Sequence, residues 1–202
     1  MSSGLFITFD GPEGGGKTTQ RELLSQKLKS LGYDVVDTRE PGGTRLGKAI
    51  REWLLIPSDI KIAKHAEILL FMADRAQHIE EVVRPALNAG KIVLCDRYID
   101  STIAYQVGGR GLPLELMEQL NQISHQGLMP TRTYMLMVSP ELGLERAQKK
   151  GRDEFLRGCI ATPPTASVRS PATRRPWPSS ARATSWRWRF SPARTAAIPR
   201  SR

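Results

Sequence analysis

Apolar positions along the first 150 residues fall into short continuous runs that alternate with stretches of helical spacing. Leu5-Phe6-Ile7-Thr8-Phe9 is an apolar run ending at Asp10, as expected of a strand buried on both faces. A glycine-rich loop follows. From Lys17, Leu24, Leu28 and Leu31 recur at i, i+4 and i+7, and Gly32 supplies a helix stop. Tyr33 to Thr38 reads as a second strand. Leu46, Ile50, Trp53 and Leu54 predict an amphipathic helix stopped by Pro57. The stretch from about Ala63 to Asn88 reads as mainly helical, with a break or fresh start at Pro85 and an end at Gly90. Lys91 to Cys95 is a third strand delivering Asp96 and Arg97 at its carboxyl end. Leu116, Leu120 and Ile123 mark a further helix, Thr133 to Val138 a fourth strand, and Pro140 opens a helix that carries Arg146, Lys149 and Lys150 to Gly151. Strands alternating with helices in this way predict an α/β fold with a parallel sheet.

This grammar stops at about Arg157. Of the 202 residues, 30 are Lys or Arg and 20 are Asp or Glu, a formal charge of +10. Residues 1–157 hold 21 of the bases and all 20 acids, so they are nearly neutral, whereas 158–202 carry nine Arg, no Lys and no acid. Arg, Ala, Ser, Pro and Thr make up 36 of those last 45 residues, and no periodic apolar face survives, so no secondary structure is expected there. Two origins are open. One is a change of coding frame near residues 153 to 158, since an out-of-frame reading of a GC-rich gene enriches these residue types. The other is a basic disordered tail whose Arg and Trp bind nucleic acid by charge and stacking. The chain is thus divided into a domain at 1–157, incomplete at its C-terminal side, and a separate segment at 158–202.

Composition excludes other classes. No run of eighteen apolar residues exists, so no membrane helix is expected, and the N-terminus lacks the charged start and apolar stretch of a signal peptide. Cys95 and Cys159 give neither a disulfide framework nor metal-ligand spacing, which fits a reducing cytoplasm. Cys95, last in an apolar strand, reads as a buried small hydrophobe.

Gly11-Pro12-Glu13-Gly14-Gly15-Gly16-Lys17-Thr18 matches G-x-x-x-x-G-K-[ST] in full, between a strand and a helix. Such a loop turns successive N–H groups around phosphate oxygens at a helix N-terminus. Lys17 is expected to reach the terminal phosphates and the Thr18 hydroxyl to ligate Mg²⁺. No Asn-Lys-x-Asp element of guanine-specific switch proteins occurs. Two arginine-bearing segments stand at strand ends instead, Arg39-Glu40-Pro41-Gly42-Gly43-Thr44 and Asp96-Arg97-Tyr98. Either arginine alone would more often be a surface ion-pair partner; beside a phosphate loop, both suit a second anionic substrate.

The motifs GPEGGGKT at 11–18, REPGGT at 39–44, LLFMADRAQH at 69–78, DRYIDSTIAYQ at 96–106 and GGRG at 108–111 resemble those of the bacterial thymidylate kinases, in order and spacing, over residues 4 to about 153. The resemblance implies a P-loop NTPase fold of three α/β/α layers, phosphorylation of dTMP to dTDP by ATP through in-line transfer, and a homodimer. ATP would be held by Gly11, Pro12, Glu13, Gly14, Gly15, Gly16, Lys17, Thr18 and Thr19. The dTMP phosphate would be held by Arg39 and Arg97, with Glu40 and Asp96 orienting these arginines or completing a Mg²⁺ shell with Thr18. Asp10 would join the dTMP site. Phe71 would stack on thymine, although spacing alone favours a core aromatic, and Arg75 would bond the base edge. Thr102, Tyr105 and Gln106 would close over sugar and base. Arg152, with Lys149 and Lys150 as alternatives, would supply a lid cation. Val107 stands where the bacterial pattern has glycine, in a loop where a positive φ is expected. Other nucleoside monophosphate kinases, or a P-loop domain with a nucleic-acid-binding tail, are the competing functions.

Overall fold

The computed structural model describes residues 4–55 and 61–149. Pro57, Lys150, Arg152 and the whole 158–202 segment lie outside the described residues. Four parallel strands, β1 (Leu5–Asp10), β2 (Val35–Arg39), β3 (Ile92–Asp96) and β4 (Arg132–Met135), form one sheet in the order β2-β3-β1-β4. The helices are α1 (Lys17–Ser30), α2 (Arg45–Leu55), α3 (Lys64–His78), α4 (Arg84–Asn88), α5 (Ile99–Thr102), α6 (Leu114–His125) and α7 (Pro140–Gln148).

Alternation along the strands sorts side chains into two cores. Phe6, Val93 and Cys95 pack with Ile79, Val83 and Tyr98 on one face. Leu5, Ile7, Phe9, Ile92 and Leu94 meet Leu24 and Leu28 of α1 on the other. Cys95 is fully buried, as expected, and burial pushes its thiol pKa well up. These two cores make the three layers.

Parallel register sets the working edge. Phe9 and Arg39 both pair with Asp96, and Asp10 pairs with Met135, so the strand ends carrying Asp10, Arg39 and Asp96 finish level with one another. Arg39 is therefore the last residue of β2 rather than part of the loop after it.

Pro85 does not break the long helix. Helical dihedrals continue from α3 through a π-helical turn at Ile79–Val83 into α4. Proline removes one backbone donor, and a wider turn before it accommodates the lost bond. A second π-helical stretch, Ile103–Gly109, extends α5 where the sequence suggested a loop. Val107 sits inside it, is absent from the positive-φ residues, and packs on two apolar clusters, so the departure from glycine is absorbed.

Four apolar positions read as core, Leu31, Leu46, Trp53 and Ile123, are exposed. Leu31 falls past the end of α1, and Trp53 and Ile123 are 57% and 73% exposed. In α2 the buried residues are Gly47 and Ile50, and in α6 they are Met117, Asn121 and Ser124. Periodicity located these helices but not which of their faces is buried against α3.

Candidate active site

The glycine-rich loop leaves β1 at Asp10 and enters α1 at Lys17. Gly11, Gly14 and Gly16 have φ of 135°, 68° and 86°. At Gly11 a Cβ would also lie 2.2 Å from the Leu136 carbonyl oxygen, so the first turn needs glycine both for its dihedral and for its fit against the chain leaving β4. Lys17, expected to extend toward phosphates, donates instead to the carbonyls of Gly11 and Pro12 at 2.9 and 2.8 Å. Burial, then the nearby Arg97 charge, lowers its pKa to about 8.

Across from the loop, the Thr18 hydroxyl donates to Asp96 Oδ2 at 2.8 Å. Two hard oxygens thus meet beside the phosphate loop, the donor type that suits Mg²⁺. Asp10 accepts from the Ser101 hydroxyl, yet its Oδ2 is buried without a partner, and burial raises its pKa to about 6.

The two strand-end arginines differ. Arg39 is exposed and forms no ion pair among the described residues, although it lines a cavity of about 810 Å³ shared with the loop, Lys17, Thr19, Asp96 and Arg97. Arg97 has φ of 74° and is held on several sides: it pairs with Glu13, donates to Ser101 at 2.9 Å and lies 5.1 Å over the Tyr105 ring. That positive φ on a non-glycine residue turns the guanidinium from the end of β3 toward the loop. Arg146 of α7 also lines this cavity and donates to the Gly14 carbonyl at 3.3 Å.

A smaller pocket of about 70 Å³ adjoins it through Glu13, Glu40, Arg51 and Arg97. Its walls bring together Phe71, Arg75, Thr102, Tyr105 and Gln106, residues from two separate motifs. Phe71 is half-buried, one side on the Ile68–Met72–Met117 cluster, so it is both a core aromatic and a pocket wall. Gln106 points into the fold and donates to Glu67 at 3.0 Å, which also takes the guanidinium of Arg110.

Glu40 departs from its expected place. Its carboxylate pairs with neither Arg39 nor Arg97 and takes no part in the Thr18–Asp96 contact, although its backbone N–H donates to the Asp96 carbonyl. One of its oxygens accepts from Arg75 Nε at 2.8 Å and the other lies 2.9 Å from His78 Nδ1. Burial would raise its pKa, but the Arg75 charge and the His78 contact outweigh it and hold the carboxyl below its ordinary value. Arg75 also donates to Asn121 and Thr102 at 2.8 and 2.7 Å. Arg51 and Asn121 lie outside every quoted motif, and Asp74 and His78 lie within LLFMADRAQH at 69–78 but were given no role there, since each is a single polar residue on an amphipathic helix.

Comparison with known proteins agrees with this geometry. The profile of the family described as thymidylate kinase matches residues 9–157. A thymidylate kinase of Ectopseudomonas mendocina is 53% identical over 154 residues, covering 76% of this chain and 73% of that protein. One from Deinococcus radiodurans is 51% identical over 156 residues, covering 77% and 75%. The crystal structure of thymidylate kinase from Ehrlichia chaffeensis superposes with a TM-score of 0.63 at 38% identity, over 77% of this chain and 88% of that one. With a phosphate loop facing strand-end arginines across one cleft, and with half its aligned residues shared with such relatives, this chain belongs to the thymidylate kinase family.

Proposed function

We infer that this chain transfers the γ-phosphoryl group of ATP to the 5′-phosphate of dTMP, giving dTDP and ADP. The observation that carries this reading is the junction of the two cavities: a phosphate loop opens on one side of Arg97 and Glu40, and an aromatic-walled pocket opens on the other. A donor triphosphate and an acceptor monophosphate would meet there end to end. The acceptor oxygen is already ionised, so no general base is required, and alignment with charge neutralisation does the work.

In this reading the loop N–H groups from Gly11 to Gly16, with Thr18 and Thr19, hold the donor phosphates, and Lys17 leaves its loop carbonyls for the terminal phosphates. Arg39 and Arg97 grip the acceptor phosphate. Phe71 lies against the base and Arg75 meets its edge, with Thr102, Tyr105 and Gln106 behind the sugar. Asp10 offers its unpartnered oxygen to the same substrate. Thr18 and Asp96 would hold Mg²⁺, which when bound offsets the charge of the donor phosphates. The lid role of Arg152 rests on the sequence; Arg146 of α7 already contributes a guanidinium to the cleft.

The site falls within residues 1–157, and the profile match ends where the composition changes, which supports 158–202 as a segment outside the kinase domain. Exposed Leu46, Trp53, Leu69 and Ile123 lie on α2, α3 and α6, helices that pack side by side, and support a homodimer formed through that face. No helix among the described residues is long and apolar enough to cross a membrane.

The deciding experiment is coupled ATP turnover with dTMP, dUMP, dCMP and GMP in turn. A clear preference for dTMP is expected; equal turnover of all four rejects the assignment.

A further inference from the structure

Beneath the smaller pocket, a line of buried side chains runs from β2 through α3 to α6. The roles given above to Glu40 and Arg75 do not explain its first member. His78, at the end of α3, is wholly buried. Its Nδ1 is 2.9 Å from Glu40 Oε1 and its Nε2 is 2.6 Å from Thr38 Oγ1. The second Glu40 oxygen takes Arg75 Nε, and Arg75 passes on to Asn121 and Thr102.

The carboxylate sets which ring nitrogen donates to it. Glu40, held ionised by Arg75, only accepts, so His78 Nδ1 carries the hydrogen. Nε2, the other ring nitrogen, faces the Thr38 hydroxyl. Both His78 ring nitrogens, both Glu40 oxygens and all three Arg75 nitrogens are thus paired along the line.

The imidazole is also a wall. A Cβ on Gly43 would fall 2.4 Å from His78 Cδ2, so the Glu40–Gly43 turn lies directly on the ring. One turn earlier, Asp74 Oδ1 accepts the Gly42 N–H at 3.0 Å. Helix α3 thus fastens the turn and the carboxylate together. Without His78, one Glu40 oxygen loses its partner and the carboxylate is free to rotate, taking the plane of Arg75 with it.

Arg75 matters because its remaining N–H groups face only donor work. A guanidinium cannot accept, so it favours a base edge presenting an oxygen over one presenting an amino group. Cys95 is close enough that its sulfur and the ligand atoms of Glu40 and His78 lie within 4.8 Å of one another, but its thiol already donates to the Arg97 carbonyl.

We propose that His78 is a positioning residue for base selection: by fixing Glu40 it fixes the guanidinium of Arg75, and so sets the preference for a pyrimidine nucleotide with a 4-carbonyl over one with a 4-amino group. This rests on the dTMP reading of the pocket. The bond is charge-assisted and buried, so its loss weakens dTMP binding about tenfold.

Equilibrium calorimetry on the full chain, with dTMP and dCMP as probes, separates this role from a merely structural one. His78→Leu is expected to weaken dTMP about tenfold and dCMP less than about twofold. His78→Asn, which keeps a donor for Glu40, recovers most of that loss. Thr38→Val gives a smaller loss in the same direction, and serves with His78→Asn if the leucine variant does not fold. Equal weakening of both nucleotides, or unchanged binding of both, overturns the role of His78. Absence of dTMP binding by the unaltered chain overturns the reading of the pocket itself, and the inference with it.

Discussion

Arg97 and Glu13 form an ion pair that joins the end of β3 to the phosphate loop. A phosphate arriving at Arg97 competes with the Glu13 carboxylate for the same guanidinium. Glu13→Gln is therefore expected to lower the KM for dTMP by about threefold, whereas Arg97→Met raises it by about one to two orders of magnitude, the size of a lost charge-assisted contact. Steady-state kinetics at saturating ATP measures both, and a higher KM in the glutamine variant would show that Glu13 orients Arg97 rather than competing for its ligand.

Lys17 carries a pKa lowered to about 8, chiefly by burial. It is charged below that value and neutral above it, so the charge it offers to phosphates is lost as pH rises through about 8. The kcat/KM for ATP reports groups of the free enzyme and should fall along a single-proton limb above about pH 8. In Lys17→Met the limb should vanish and the rate drop by about 10³-fold, the scale of losing one key transition-state cation. A pH profile of wild type and variant checks both; a limb that survives in the variant belongs to another group.

Asp74 is buried beside Glu40, and these two effects raise its pKa from 3.8 to about 6. Between those values the folded chain holds a proton that the unfolded chain has released. Stability should therefore fall as pH rises from about 4 to 6 and stay low above, a penalty on the order of 3 kcal/mol at most. Asp74→Asn keeps an acceptor for Gly42 but cannot ionise, so it should gain about 1–3 kcal/mol over wild type at neutral pH and little near pH 4. Urea denaturation at both pH values tests it. A gain that is the same at the two values would mean Asp74 does not titrate in this range.

Trp53 is 57% exposed on α2, which packs beside α3 with its exposed Leu69, and α3 packs in turn beside α6 with its exposed Ile123; the proposed dimer face is made from these helices. If that face joins two copies, a charge at its centre is costly, and Trp53→Glu should convert dimer to monomer at micromolar concentration. Sedimentation velocity distinguishes the two. A wild-type chain that sediments as a monomer removes the dimer reading altogether.

The phosphate loop, the strand ends and the alternation of elements were legible because each is local: a tight glycine turn, an apolar run, a stop signal. The same locality explains what was missed. Arg75 meets Asn121 across 46 residues and His78 meets Glu40 across 38, and no pattern in a linear window links such pairs. The resemblance assigns Glu40 to orienting Arg39 and Arg97 or to the Mg²⁺ shell, whereas its carboxylate meets Arg75 and His78, both remote in sequence. Trp53 and Ile123 show the complementary limit. An apolar stripe states that a helix has something to cover, but it does not distinguish the sheet from another surface.

Where Gly14 passes Gly143, a Cβ added at Gly14 would lie 2.4 Å from the Gly143 carbonyl oxygen, so loop and helix α7 touch backbone to backbone. Arg146 reinforces the contact from the next turn. Neither glycine puts a side chain between the two backbones, so a tilt of α7 is passed directly to the phosphate loop. Engineering of the chain at the far end of α7 is thereby also engineering of nucleotide affinity.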